Sequence, residues 1–249
     1  MSDATLTGNR LLYIDPRPIR QDQHGALGLM RSTAPYGFAA QTHLVPVTIG
    51  EIADVSAHYP MVFMGEDCVP ATALGLQADR NPFVAPSGAW QAGNYVPAYL
   101  RQYPFAMAAS SESEGVLCVD TACDRLSADS PDEPFFSGNE PSAFLQRAMT
   151  LCKQVEADRQ RTEAMVREIK AMGLFTSITL RFPKIGPEEE PLSFEITGID
   201  HERLAGLEQG EKARLIDNGA IALIVGWQFS QRHWPKIARL SLEDQGETS

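Results

Sequence analysis

Aromatic rings and one guanidinium are concentrated between Asn81 and Phe105, a segment that we call the aromatic block. It reads NPFVAPSGAWQAGNYVPAYLRQYPF. Aromatic side chains supply a large contact area, and arginine can hold a carboxylate through two hydrogen bonds. The block therefore predicts a ligand-binding surface, formed by Trp90, Asn94, Tyr95, Tyr99, Arg101 and Tyr103. The alternative is that the rings fill the core beneath an irregular loop, because large rings are common in both places.

A second candidate for chemistry is a group of three polar residues around a predicted buried strand. His58 comes just before this strand, and Glu66 and Asp67 follow it. They could act as general acid and base only if they meet in a cleft. Polar residues at strand ends are usually exposed, and exposure without any catalytic role is the alternative.

Common catalytic and cofactor motifs are absent from the sequence. It contains no phosphate-binding P-loop, no G-x-G-x-x-G, no H-E-x-x-H and no G-x-S-x-G. No two of the five histidines are spaced to share a helix face as metal ligands. We therefore predict no catalytic residue, no metal ligand and no cofactor, and we favour a non-catalytic protein over an enzyme.

The charge of the chain excludes several classes of partner. Its 32 acidic and 21 basic residues give a net charge of -11. A nucleic-acid-binding face is basic, so we expect no nucleic-acid partner. Eight acids and one base, Arg125, lie between Glu112 and Glu140, and this acidic run predicts a solvated connection, because no calcium-binding loop pattern is present.

Cysteine usage and hydropathy bear on the compartment. Four cysteines in 249 residues are too few for a disulfide scaffold, and the C-x4-C spacing of Cys118 and Cys123 matches neither a redox nor a zinc motif. The N-terminal residues show no basic segment followed by an apolar run. The longest apolar run, Ala220 to Val225, is too short to span a membrane. We expect a cytoplasmic protein with reduced cysteines and no membrane span.

The first half of the chain predicts mixed, mostly antiparallel structure around the aromatic block. Residues 1–40 predict a loosely packed arm with one short strand at Leu11–Ile14. In the half formed by residues 41–140, Thr48 and Glu51 predict a capping box for a helix over 49–57. A short helix is predicted over 95–102. The strands predicted in this half are His43–Val45, Tyr59–Met64, Ala71–Leu76, Phe105–Ala109 and Val116–Asp120.

The second half, 141–241, begins with the clearest helix of the sequence. Apolar residues at helical spacing predict a helix over 141–172 with Pro141 in its first position. Its middle, Glu156–Glu163, is nearly all polar, so we expect the helix either to project or to break near Asp158. We expect it to bridge the two halves of an α+β fold with mostly antiparallel sheets.

The remainder of this half predicts a β-β-α-β-α order, followed by a tail over 242–249. The predicted elements are strands over 177–182 and 192–197, helices over 200–203 and 208–218, a buried strand over 220–229 and a last helix capped by Ser230.

Several motifs of the sequence resemble the SapC family of bacterial proteins. They include Tyr59-Pro-Met-Val-Phe63, the run from Tyr95 to Phe105, and the Ile199-Asp-His-Glu-Arg-Leu segment. The likeness covers about residues 41–241. It implies an association with bacterial surface-layer proteins, and with flavin-dependent halogenase-like enzymes and outer-membrane receptors encoded nearby. It implies no catalytic residues.

Three functions follow from these observations. The first is a non-catalytic accessory or binding protein that uses the aromatic block to hold a peptide, a small molecule or a protein partner such as a flavin-dependent halogenase-like enzyme. The second is an enzyme with an acid/base site around His58, Glu66 and Asp67. The third is a structural component of a surface layer.

Overall fold

A computed structural model describes residues 10–108, 115–182 and 192–243. Its strands are β1 (Pro16–Pro18), β2 (Gly28–Leu29), β3 (Leu44–Pro46), β4 (Met61–Met64), β5 (Val69–Ala73), β6 (Phe105–Ala108), β7 (Val116–Asp120), β8 (Leu126–Ser127), β9 (Glu133–Pro134), β10 (Phe136–Ser137), β11 (Glu140–Pro141), β12 (Phe175–Phe182) and β13 (Leu192–Ile199). Its α-helices are α1 (Gln21–His24), α2 (Ile52–His58), α3 (Ala98–Arg101), α4 (Ala143–Ala171), α5 (His201–Gly206), α6 (Gln209–Asp217), α7 (Ala220–Ser230) and α8 (Trp234–Glu243).

Antiparallel pairing joins these strands into one larger and three small sheets. The larger sheet has the order β12-β13-β4-β5-β3, and the small sheets have the orders β1-β7-β6, β8-β2-β9 and β10-β11. All strand pairs of the described residues are antiparallel. Together with the helices, they confirm the predicted α+β fold.

The long helix α4 connects two hydrophobic cores. Leu145 and Cys152 belong to the core beside the β1-β7-β6 sheet, and Val166 and Ile169 belong to the core beside the five-stranded sheet. The helix has 29 residues and does not break at Asp158. It begins after Ser142, whose hydroxyl accepts a hydrogen bond from Leu145 N, so the prediction that Pro141 occupies its first position was wrong by two residues.

The predicted buried strand over 220–229 is wrong, because these residues form helix α7. An apolar run cannot by itself distinguish a buried strand from a buried helix. The buried positions of α7 include Ala220, Leu223, Ile224 and Trp227, which is the spacing of one helix face. Gly219, with φ of +79°, separates α6 from α7 in a backbone conformation that glycine adopts readily.

Two further local predictions differ from the structure. Leu11–Ile14 is not a strand; the strand of this segment is β1, which pairs with β7. Ser230 does not cap the last helix, since it lies within α7, donates to Trp227 O and accepts a hydrogen bond from Met61 N. A buried serine therefore ties α7 to β4 where the sequence suggested a helix start.

Other predicted boundaries agree closely with the structure. The capping box at Thr48 and Glu51 is formed; a 3-10 turn over Ile49–Glu51 leads into α2. Asp200 caps α5 by accepting a hydrogen bond from Arg203 N. Ala109, the turn over 183–191 and residues 244–249 of the predicted tail lie outside the described residues.

Candidate functional site

An open groove with a volume of about 800 Å³ lies between α4, the β4–β5 hairpin and α3. The α4 wall runs from Cys152 to Lys170, a length of about 27 Å at the rise of an α-helix. The groove therefore follows α4 for about five turns.

Both apolar and charged side chains line the groove. The apolar lining includes Val47, Met64, Val69, Met107, Val155 and Val166. The charged residues are Arg10, Glu51, Asp67, Glu156, Arg159, Glu163, Arg167 and Lys170. Ligand-binding clefts are lined mostly by apolar side chains, and their polar groups fix the orientation of the ligand.

The polar middle of α4 holds the helix against the 3-10 turn over Ile49–Glu51. Thr162 Oγ1 accepts a hydrogen bond from Ile49 N at 2.8 Å and donates to Asp158 O at 2.6 Å. The Asp158 side chain is buried and lies so close to Gly50 that a β carbon there would collide with its carboxylate. The polar segment that suggested a break is thus a docking face, which sets the distance between α4 and the floor of the groove.

Glu51 is a buried carboxylate on the floor of the groove. It accepts hydrogen bonds from Ala98 N at 2.7 Å, from Tyr95 Oη at 3.1 Å and from Thr48 N at 3.3 Å. Burial raises the pKa of Glu51, and these hydrogen bonds partly offset that effect. Glu51 therefore fixes α3, and with it the aromatic block, to the start of α2.

Tyr95 and Arg101, two of the predicted ligand-binding residues, contact each other above Glu51. The Arg101 guanidinium donates to Tyr95 Oη at 2.8 Å and to Val96 O at 3.1 Å, and it lies 5.3 Å from the centre of the Tyr95 ring. Burial raises the pKa of Tyr95 to about 12, and the Glu51 charge adds to the effect. Two nitrogen donors of Arg101, Nε and Nη2, are therefore used within the block.

Tyr99 is the predicted binding residue that lies on the groove. Its hydroxyl donates to Leu11 O at 2.7 Å, and burial raises its pKa to about 12. The Tyr13 ring meets Tyr99 edge-on, with the ring centres 6.2 Å apart. Tyr103 lies on the other side of Tyr13 and stacks on Phe38 with a centroid distance of 4.1 Å. Of these rings, only Tyr99 lines the groove.

Trp90 and Asn94 lie at the opposite end of the block, beside α8. Trp90 stacks on the fully buried Phe83 at a centroid distance of 6.0 Å. Asn94 Oδ1 accepts a hydrogen bond of 2.6 Å from Lys236 Nζ, which lies 5.0 Å from the centre of the Phe83 ring. The six predicted binding residues thus occupy three places, and their role in binding remains a prediction.

Ion pairs join four of the charged residues that line the groove, Arg10, Glu156, Arg159 and Glu163. Arg159 pairs with Glu156 at 2.6 Å and also with Glu163. Burial raises the pKa of Glu156, but hydrogen bonds from Arg159 and Gln160 outweigh it and leave the pKa below its ordinary value. Arg167, in contrast, is exposed and forms no hydrogen bond or ion pair with another described residue.

The three residues of the acid/base hypothesis do not converge. His58 ends α2, before β4, whereas Glu66 and Asp67 are exposed in the turn between β4 and β5. The extended chain between Pro60 and Gly65 separates them by about 16 Å. Proton transfer requires hydrogen-bond contact, so this group does not form a catalytic site.

The described residues contain no cluster of three or more His, Cys, Asp or Glu side chains that could hold a metal ion. They also contain no helix with the length and apolar character to cross a membrane. Sequence reasoning missed the α4 wall and the β4–β5 hairpin as parts of a site. The spacing of Cys152, Val155, Thr162 and Val166 along one helix face was a signal, but it also fits packing against a core.

These features define an α+β protein with an open groove beside a long helix. The family model described as SapC matches residues 19–237 of the chain. The protein therefore belongs to the SapC family. No curated protein and no solved structure matches the chain.

Proposed function

We propose that this protein is a non-catalytic accessory protein whose groove holds an extended segment of a protein partner. The observation that carries the proposal is the open groove of about 800 Å³ beside Tyr99 of the aromatic block, which is lined by apolar and charged side chains. Such clefts bind ligands by removing apolar surface from water, while a few polar groups fix the orientation.

The length of the α4 wall sets the length of the segment that the groove can hold. An extended chain rises about 3.3 Å per residue, so the 27 Å wall accommodates about eight residues. The occupant is therefore a short linear stretch with apolar side chains.

Charge adds one element of specificity. Arg167 stands on the groove without a partner among the described residues, while Arg159 is held by two glutamates. An arginine without a partner can bind a carboxylate through two hydrogen bonds. A segment with an acidic residue near Arg167 therefore fits better than a basic one.

The family resemblance makes a flavin-dependent halogenase-like enzyme the first partner to test. Four free, buried cysteines support a cytoplasmic location for this encounter, because disulfides are rare there. A structural role in a surface layer is the competing proposal, and it requires export. Cell fractionation that finds the protein only outside the cytoplasm would favour that role over ours.

The groove can be tested with random linear peptides selected on the whole protein by phage display. Fluorescence anisotropy then measures the affinity of the selected peptides for the protein and its variants. We expect apolar peptides with an acidic residue. The variants Val69→Glu and Val155→Glu, which place a charge against the apolar segment, should each weaken binding by at least about tenfold.

The matched control is Ile216→Glu, at an exposed position of α6 outside the groove. It places the same charge on the same kind of apolar surface and should leave the affinity unchanged. Arg167→Glu should weaken binding of acidic peptides and leave neutral ones unaffected. The proposal is wrong if no peptide is selected, or if Ile216→Glu weakens binding as much as Val69→Glu does.

A further inference from the structure

The two edges of the five-stranded sheet differ in how they are protected. At one edge, β3 has three residues and ends in Pro46, features that discourage pairing with another chain. At the other edge, β12 has eight residues, no proline and one charged residue, Arg181. Within the described residues, β13 is the only strand that pairs with β12. Alternate backbone N–H and C=O groups of β12 therefore point away from the sheet without a strand partner.

A long edge strand with little charge pairs readily with another strand. We propose that β12 pairs antiparallel with β12 of a second copy of this chain, so that two five-stranded sheets join into one. The proposal concerns a surface that is separate from the groove and does not depend on the function proposed above.

The sequence of β12 fits such a symmetric pairing. A two-fold axis through an antiparallel pair passes beside one residue, which then lies opposite its own copy. With Thr179 on the axis, Ile178 lies opposite Leu180, and Arg181 lies opposite Ser177. On the half-buried side, Thr176 also lies opposite Phe182, an aromatic–β-branched pair, and the two arginines are apart.

The neighbouring register fits less well. With Ile178 on the axis, Thr176 lies opposite Leu180, and Arg181 lies opposite Phe175. Ile178 then faces its own copy, so the half-buried side has one apolar pair where the register centred on Thr179 has two, and the Arg181 charge lies against the Phe175 ring. The registers centred on Ile178 and Thr179 pair seven residues of each β12, whereas a register centred on Leu180 pairs only five, so we assign the register centred on Thr179.

Net charge opposes the association of two copies. Each chain has a net charge of -11, and this repulsion is screened by salt. The dimer should accordingly tighten as the ionic strength rises, in contrast to an interface held by surface ion pairs.

Ser177 gives a test of this pairing, because a charged residue at this position should stabilise the single chain and destabilise the dimer, or the reverse. Within one chain, Ser177 is the diagonal neighbour of Glu195, because Thr179 pairs with Glu195 on β13. A glutamate at 177 is therefore unfavourable within the chain, whereas it meets Arg181 of the second copy twice in each dimer. A lysine at 177 has the reverse effects.

Sedimentation velocity over a range of protein concentrations measures the dissociation constant of the dimer. We expect a reversible dimer for the unaltered protein. Ser177→Glu should tighten it by about 2- to 30-fold, and Ser177→Lys should weaken it by a similar factor, given two cross-strand pairs per dimer. Circular dichroism verifies that both variants fold.

The control variant is Ser177→Thr, which keeps the strand neutral and should leave the dissociation constant nearly unchanged. The proposal is overturned if the unaltered protein stays monomeric at every concentration. It is also overturned if glutamate and lysine at 177 shift the dissociation constant in the same direction, since the interface would then lie elsewhere.

Discussion

The contact between Gly50 and Asp158 predicts that Gly50→Ala destabilises the protein when Asp158 is present and stabilises it when Asp158 is replaced by alanine. A β carbon at Gly50 would come too close to Asp158 Oδ2 and Cγ, although the backbone of Gly50 is not left-handed and tolerates alanine. Asp158 is buried, paired with Arg161, and accepts a hydrogen bond of 3.3 Å from Gln154. Gly50→Ala therefore forces either the carboxylate or α4 to move.

The expected magnitudes follow from these contacts. Overpacking a filled site costs about 1–3 kcal/mol, and rotation of Asp158 would sacrifice its contacts with Arg161 and Gln154, so Gly50→Ala should destabilise by about 1–2 kcal/mol. In a protein that carries Asp158→Ala, the space is free. Alanine then gains about 0.4–1 kcal/mol over glycine, because the unfolded chain loses freedom. The coupling energy should be about 1.5–3 kcal/mol.

Urea unfolding, followed by circular dichroism, measures the free energy of unfolding of the unaltered protein, the variants Gly50→Ala and Asp158→Ala, and the variant with both substitutions. Gly50→Ala should lower the free energy of unfolding in the presence of Asp158 and raise it in the presence of Ala at that position. If the effects of the two substitutions on the free energy of unfolding add within about 0.5 kcal/mol, the contact does not set the distance between α4 and the 3-10 turn, and our account of the groove floor is wrong.

Three further predictions concern buried or partnered groups. Because the pKa of Glu51 is raised above its ordinary 4.5, its stabilising contribution is complete below that pH and is lost as the pH rises through the raised pKa. The stability deficit of Glu51→Gln in urea unfolding should therefore shrink from pH 4 to pH 8, and a constant deficit would contradict this. Burial raises the thiol pKa to about 11 at Cys118 and about 12 at Cys152, so iodoacetamide at pH 8 should label neither until the protein unfolds, as mass spectrometry can verify. Arg101→Ala should lower the free energy of unfolding by less than about 1 kcal/mol and leave the affinity for groove-binding peptides unchanged, whereas Tyr99→Ala should lower that affinity. Equal losses of affinity in the two variants would instead place Arg101 on the binding surface.

Local patterns predicted much of the fold, because the responsible interactions lie within a few residues. The capping box joins Thr48 to Glu51, and the Asp200 cap joins residues three apart. The α7 helix was missed because an apolar run fits a buried strand equally well, and only its packing against α2 decides between them.

The middle of α4 shows where local reasoning fails. A polar segment in a helix suggests exposure or a break, but Thr162 binds Ile49 N, which lies 113 residues earlier in the chain. The groove likewise depends on contacts between distant parts of the chain, since its walls come from α3, α4 and the β4–β5 hairpin. The sequence predicted Tyr99 as a binding residue, yet the surface opposite it depends on tertiary contacts that no local pattern specifies.

The position of a bound peptide tests the proposed groove most directly. A selected peptide with a benzophenone group at its centre can be photo-crosslinked to the protein, and mass spectrometry then identifies the labelled residues. We predict labels on groove residues such as Met64, Val69 and Val155. Labels confined to exposed apolar residues elsewhere, such as Ile216 and Phe229, would contradict the proposal that the groove is the binding site.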